Sequence, residues 1–208
     1  MSFWEFFITR LDRVWALTLE HAWLILVAVA IAIAVGVLVG VLITYSRPAA
    51  HGALYFCQVM MTVPSLAMLG LLLPLFGIGF TTGVIALTLY SLLPIVRNTY
   101  LGIREINPAV IEAARGMGMR ELSILRRIKL PMAFSVIMAG IRTATVMVVG
   151  IGAIAYCIGA GGLGEFIFRG ISQYNKDLIV IGAVCISLLA ILADFLLKRT
   201  EKRLSFRS

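Results

Sequence analysis

Two charged residues, Arg142 and Asp194, stand inside long apolar runs of this sequence. A lone charge at membrane depth is expensive and by default has a function or a partner. Asp194 is a candidate partner for Arg142, although it also precedes Lys198 by four residues, the spacing of a local helical pair. A structural ion pair between these intramembrane charges is favoured over solute contact. They are too few for a membrane-embedded enzyme, which needs facing clusters of Asp, Glu, His or Ser. Gly159, Gly161 and Gly164 form a G-x-G-x-x-G pattern, with Gly162 inside it. A dinucleotide site requires that pattern between a strand and a helix. Here it follows a long apolar segment, so it reads as a flexible turn. Cys57, Cys157 and Cys185 are odd in number, lie in apolar runs and act as small hydrophobes. No Cys/His spacing suggests a metal. His21 and His51 stand alone at the ends of apolar segments and read as interfacial residues.

The elements that position these residues follow from composition. Of 208 residues, 61% are hydrophobic and 13% charged, and the mean hydropathy is +1.03. Soluble domains average about 45–50% apolar and about 25% charged residues. Most of this chain must therefore face lipid. The formal charge of +8 lies in short segments between apolar runs, which leaves no soluble domain to bind nucleic acid. The acidic and basic residues Glu5, Arg10, Asp12, Arg13 and Glu20, followed by an apolar run too long for a signal h-region, argue against a cleavable signal peptide.

Five segments are long enough to cross a bilayer: residues 22–45, 53–76, 82–100, 132–158 and 178–197. The fold class is therefore all-α integral membrane with five transmembrane helices. Thirteen Lys and Arg fall on the side of the first and third connections and the C-terminal tail, against four on the other side. The positive-inside rule then puts the N-terminus outside and the C-terminus in the cytoplasm. Residues 1–20 carry Phe3, Trp4, Phe7, Ile8, Leu11, Val14 and Trp15 at helical spacing, which reads as an external amphipathic segment at the membrane surface or a helix packed on the bundle. Residues 21–200 form the transmembrane domain, and 201–208 a basic cytoplasmic tail. Pro64 and Pro94 are expected to kink the second and third spans.

The cytoplasmic connection is orderly. Asn107-Pro108 is a helix start, with Asn as the cap and Pro in the first turn. Glu112, Ala113 and Ala114 lie on the short helix, which Gly116 and Gly118 stop. A second, basic helix over 120–129 leads through Leu130-Pro131 into the fourth span.

Glu112-Ala113-Ala114, then Gly118, Ile128 and Leu130-Pro131, resembles the "EAA" loop of binding-protein-dependent ABC importer permeases, with matching spacing throughout. The resemblance implies the type I permease fold and makes the loop, about 104–131, an ATPase-coupling element docking on a cytoplasmic ATPase subunit. No G-x-x-x-x-G-K-[ST] pattern occurs in the chain. It implies no cofactor on this chain, since ATP-Mg would be bound by the partner ATPase, and it implies a transport subunit rather than an enzyme. Further implied partners are an extracytoplasmic solute-binding protein, a second permease subunit (a homo- or heterodimer) and membrane lipid, in a bacterial plasma membrane. The runs Val63-Pro64-Ser65-Leu66-Ala67, Leu89 to Tyr100 and Ile158 to Gly164 resemble the glycine betaine, carnitine and choline branch. Methionine or other amino-acid importers are the alternative within the family, and a channel is the alternative outside it. If the solute is a quaternary ammonium, aromatic faces attract it, and Tyr90, Tyr100 and Tyr156 are then candidates for the translocation path. The glycine turn is a candidate for binding-protein docking or an outer gate.

Overall fold

A computed structural model describes residues 8–205, with side chains through 203. Helices α1 (Leu11–Leu42), α2 (Arg47–Thr62), α3 (Ser65–Phe76) and α4 (Phe80–Arg104) lead to the loop helix α5 (Pro108–Gly116). Helices α6 (Glu121–Ile124) and α7 (Leu130–Ile151) are joined by a π-helical turn, and a 3-10 segment, Gly152–Ile158, extends α7. Helices α8 (Gly164–Ser172) and α9 (Lys176–Ser205) complete the described chain. No strand occurs among the described residues.

Four stretches are long and apolar enough to cross a membrane: Leu11–Tyr45, Phe80–Arg104, Glu121–Ile158 and Lys176–Arg203. The expected second span is a pair, α2 and α3, meeting at 103°. This is a sharper break than a proline kink. Pro64 has no amide proton and disfavours helical backbone at the residue before it. Val63 is accordingly extended, at φ −65° and ψ 128°.

The N-terminal segment also differs from expectation. From Leu11 onward it is continuous with the first span, with no separate surface helix over 11–20. No Gly or Pro interrupts the chain between Leu11 and Val35, so nothing ends the helix there. Phe3, Trp4 and Phe7 lie outside the described residues. The basic loop helix is likewise no independent element. Residues 121–158 run as one helical stretch, in which the π turn Leu125–Lys129 directly precedes Pro131, whose missing amide cannot continue the ordinary ladder.

Helix α4 is the hub and packs against α1, α2, α3 and α7, while α9 packs against α7 and α8. One cluster, including Leu17, Leu24, Leu87, Val148 and Leu163, fills the end of the bundle nearest the glycine turn. A second, including Ile95, Ile103, Ala133 and Ile141, fills the end nearest the loop. In lipid, close van der Waals packing rather than hydrophobic transfer holds such helices together.

Candidate functional site

The loop helix is short and mostly exposed. Asn107 caps it, its side-chain oxygen accepting from the Ala109 amide at 3.0 Å, and Pro108 occupies the first turn. Glu112 and Ala113 are exposed, whereas Ala114 is 1% exposed on the inward face. Gly118 turns the chain at φ +79°, in the left-handed region that favours glycine. Arg115 Nε donates to Glu121 Oε1 at 2.6 Å, tying α5 to α6. Since α6 runs on through Ile128, Leu130 and Pro131 into α7, a displacement of α5 has a stiff route to the fourth span. Ile128, Leu130 and Pro131 are half-buried along this route.

Behind the loop helix, the Lys129 ammonium lies 5.6 Å from the centroid of the Tyr45 ring, a cation–π contact between the end of the first span and the start of the fourth. Tyr45, Arg104, Ile111, Glu112, Arg115 and Lys129 line a cleft of ≈ 220 Å³ between the loop and the span ends. The spacing pattern of the loop is visible in sequence. The Lys129–Tyr45 contact is not, because it joins residues 84 positions apart.

The intramembrane charges meet as expected and gain a third member. Arg142 Nε and Nη2 donate to the two oxygens of Asp194 at 2.9 and 3.3 Å, and Nη1 donates to Glu201 at 3.2 Å. Two turns of α9 thus hold one guanidinium of α7 by three charge-assisted bonds.

The three tyrosines occupy different settings. Tyr90 is 4% exposed, and its hydroxyl donates to the Val63 carbonyl at the α2–α3 break. Tyr100 is half-buried beside Val96 and Ile43. Tyr156 stacks on Phe168, with ring centroids 6.1 Å apart.

The glycine turn is held rather than loose. Gly159, Gly161 and Gly162 have positive φ. The Gly162 amide donates to Glu20 at 3.2 Å. Gly164 approaches the Ala153 carbonyl so closely that an added Cβ would lie 1.9 Å from its oxygen. His21, expected at the interface, is fully buried, with Nε2 donating to the Val149 carbonyl at 3.0 Å and the ring against Gly162. Helix α1 begins eleven residues before the expected span, which places His21 inside the bundle. Glu165, whose role sequence reasoning missed, accepts from Arg13 and from Arg169, the latter at 2.8 Å. Burial pushes its carboxyl pKa up, but the two arginines outweigh burial and hold it below the usual carboxylate range. His51 is exposed, on the carbonyl of Arg47 at 2.9 Å.

A capped loop helix tied to a span start thus stands on a bundle of four long apolar stretches and one bent pair. Residues 32–206 match the family described as binding-protein-dependent transport system inner membrane component. The chain belongs to this family. It is accordingly a transport permease subunit and not itself an enzyme, and in ABC importers a separate subunit hydrolyses ATP.

Among its relatives is the glycine betaine/carnitine/choline transport system permease protein OpuCB of Bacillus subtilis, 40% identical over 186 residues, covering 89% of this chain and 86% of the relative. The osmoprotectant import permease protein OsmW of Salmonella typhimurium is 46% identical over 191 residues, covering 89% of each chain. The methionine ABC transporter MetNI, solved in inward-facing conformations, superposes a chain with a TM-score of 0.80 at 25% identity, covering 91% of this chain and 94% of that one. The permease has the all-α fold of type I ABC importers, with a broken pair of helices in place of one straight span.

Proposed function

We propose that this permease carries osmoprotectants of the glycine betaine, carnitine and choline class across a bacterial inner membrane. It works with cytoplasmic ATPase subunits, an extracytoplasmic solute-binding protein and a second permease subunit. The observation that carries the solute reading is the set of relatives at 40–46% identity, which are named for these solutes and match over most of both chains. The methionine importers share the fold at 25% identity, a likeness too distant to outweigh them.

Mechanistically, a loaded binding protein docks at the end that carries the glycine turn, and ATP closes the ATPases at the other end. The movement of α5 passes through the Arg115–Glu121 bond and the α6–α7 run into the bundle, opening the path outward. Hydrolysis then resets the inward-facing state. Glu112 and Ala113 form the docking face in this scheme, with Ala114 packed behind them against the protein. Tyr90, Tyr100 and Tyr156 remain the aromatic candidates of the path: Tyr100 and Tyr156 are partly exposed, and Tyr90 needs the α2–α3 break to open before its ring is free.

Uptake of labelled glycine betaine, in cells whose only osmoprotectant importer contains this permease, tests the reading. Unlabelled choline or carnitine is expected to compete and methionine not to. Competition by methionine alone would refute the solute class and leave the family intact.

A further inference from the structure

Arg97 stands seven residues before the end of α4 at Arg104. At 1.5 Å per residue that is about 10 Å inside the helix end. Its side chain is exposed, and among the described residues its guanidinium makes no hydrogen bond or ion pair. The contrast with Arg142 is direct. Arg142 is held by Asp194 and Glu201, whereas the cavity beside Arg97 is lined by no acidic residue at all. Arg97 also stands three residues before the expected end of the third span at residue 100, so its guanidinium lies towards the loop end of the bundle, where an unpaired charge faces a partner or a wet path.

The surroundings of Arg97 form a site. A cavity of ≈ 320 Å³ is lined by Met61, Pro94, Arg97, Asn98, Thr143 and Met147, with Leu93 and Leu101. It adjoins the Arg142 cavity, with which it shares Thr143 and Met147. Gly140 lets α7 lie against the Pro94 carbonyl and Asn98, so the α4 and α7 sides make one continuous wall. The neutral donors there are committed to their own helices. Asn98 Nδ2 donates to the Pro94 carbonyl at 2.7 Å, and the Thr143 hydroxyl to the Ala139 carbonyl at 2.9 Å. The free donors are those of the Arg97 fork, set against a wall of thioether and leucine side chains.

We infer that Arg97 binds the carboxylate of the solute as it crosses the membrane, and that the site takes a zwitterion with an alkylated ammonium at its other end. A guanidinium stays charged at any physiological pH and presents paired donors that match a carboxylate. The methyl groups of the ammonium end pack on Met61, Met147, Leu93 and Leu101, which ask for no hydrogen bond. The inference rests on the osmoprotectant reading for the ammonium end only. Betaine and carnitine carry the carboxylate that Arg97 recognises. Choline lacks it and gains nothing from this residue.

The test uses the complete importer, with its ATPase and binding protein, carrying wild-type permease, Arg97→Gln or Arg97→Lys. Maximal uptake of betaine, carnitine and choline is measured, together with the amount of assembled complex. Losing a charge-assisted bond to the solute is expected to lower betaine and carnitine uptake about tenfold or more in Arg97→Gln. Choline uptake and complex assembly are expected to stay near wild type, and Arg97→Lys, which keeps the charge but not the fork, to recover only part of the betaine rate. An equal fall for all three solutes, or loss of the assembled complex, overturns the inference, since Arg97 would then hold the fold or a partner subunit. Unchanged betaine uptake overturns it as well. If the wild-type importer carries methionine and none of the three, the osmoprotectant reading fails on its own. A comparable loss of methionine uptake in Arg97→Gln would then uphold the carboxylate site, and unchanged methionine uptake would overturn it.

Discussion

Arg142 is the residue whose depth in the sequence demanded a partner, and Asp194 on α9 supplies it, 2.9 Å from Nε. The third member, Glu201, was not legible, because it lies beyond the end of the expected fifth span while α9 continues as helix to Ser205. His21 and Glu165 were missed for a related reason. Val149 and Arg13 are assigned by tertiary packing and by a helix start that hydropathy places too late, whereas Arg169, four residues from Glu165, was within reach of the local pairing rule. Depth in an apolar run therefore predicts that a charge is partnered, and only the packed bundle says by what. Breaking a buried pair leaves an uncompensated charge, at a cost of about 3–5 kcal/mol. The Arg142 side chain is 25% exposed and that of Asp194 38%, and Arg142 keeps Glu201 when Asp194 is lost, so the cost falls well below that range. Asp194→Ala is expected to destabilise the permease by about 1 kcal/mol, seen as a lower melting temperature in detergent. The triple replacement Arg142→Met, Asp194→Leu, Glu201→Gln, which leaves no carboxylate unpaired, is expected to recover most of that loss. Simple additivity of the single changes would show that the three residues are not coupled.

Among the elements, the loop was the most legible, because its signals are local. The Asn107 cap, the Pro108 first turn and the left-handed Gly118 are each dictated within a few residues and reappear in the structure. The second span was read with the right length and the wrong geometry. Pro64 announced a disturbance, but not the contact at the break, where Tyr90, 27 residues away, donates its hydroxyl to the Val63 carbonyl. Gly118 also separates a backbone requirement from a packing one. Nothing lies within 4 Å of a Cβ built there, so the strain of a replacement comes from φ +79° alone. An L-residue in that region costs roughly 1–2 kcal/mol. Gly118→Trp is accordingly expected to leave the permease inserted while uptake falls about fivefold or more, the factor that this strain represents in a lever equilibrium. Gly116→Ala, which has equally open space and an ordinary φ, is expected to transport near the wild-type rate. Uptake near wild type in Gly118→Trp would remove the loop from the coupling route.

At the scale of the whole molecule, charge and connectivity make one argument. The Lys129–Tyr45 contact and the cleft shared by Arg104, Glu112 and Lys129 gather the loop with the ends of α1 and α4. The Arg142–Glu201 bond brings the tail end of α9 to the same half. The Arg13–Glu165 pair joins the start of α1 to α8 at the opposite end, beside the glycine turn. The thirteen Lys and Arg assigned to one side in sequence thus include those clustered around the loop, and the four on the other side include Arg13 and Arg169 of the Glu165 latch. An excess of this kind on short connections is retained on the cytoplasmic side during insertion. We therefore expect the loop inside and the α8–α9 turn outside. Two reporters test this without straining the fold. Met117 is 76% exposed in the loop at φ −77°, and Ser172 is exposed at the end of α8, where cysteine is nearly isosteric. With Cys57, Cys157 and Cys185 replaced by alanine, a membrane-impermeant maleimide is expected to label Ser172→Cys in right-side-out vesicles and Met117→Cys in inverted ones. Labelling of both from the same face would mean that the Glu121–Ile158 stretch between them does not cross the membrane. Labelling of each from the opposite face to that expected would invert the whole permease, and with it the sides on which the ATPase and the binding protein must dock.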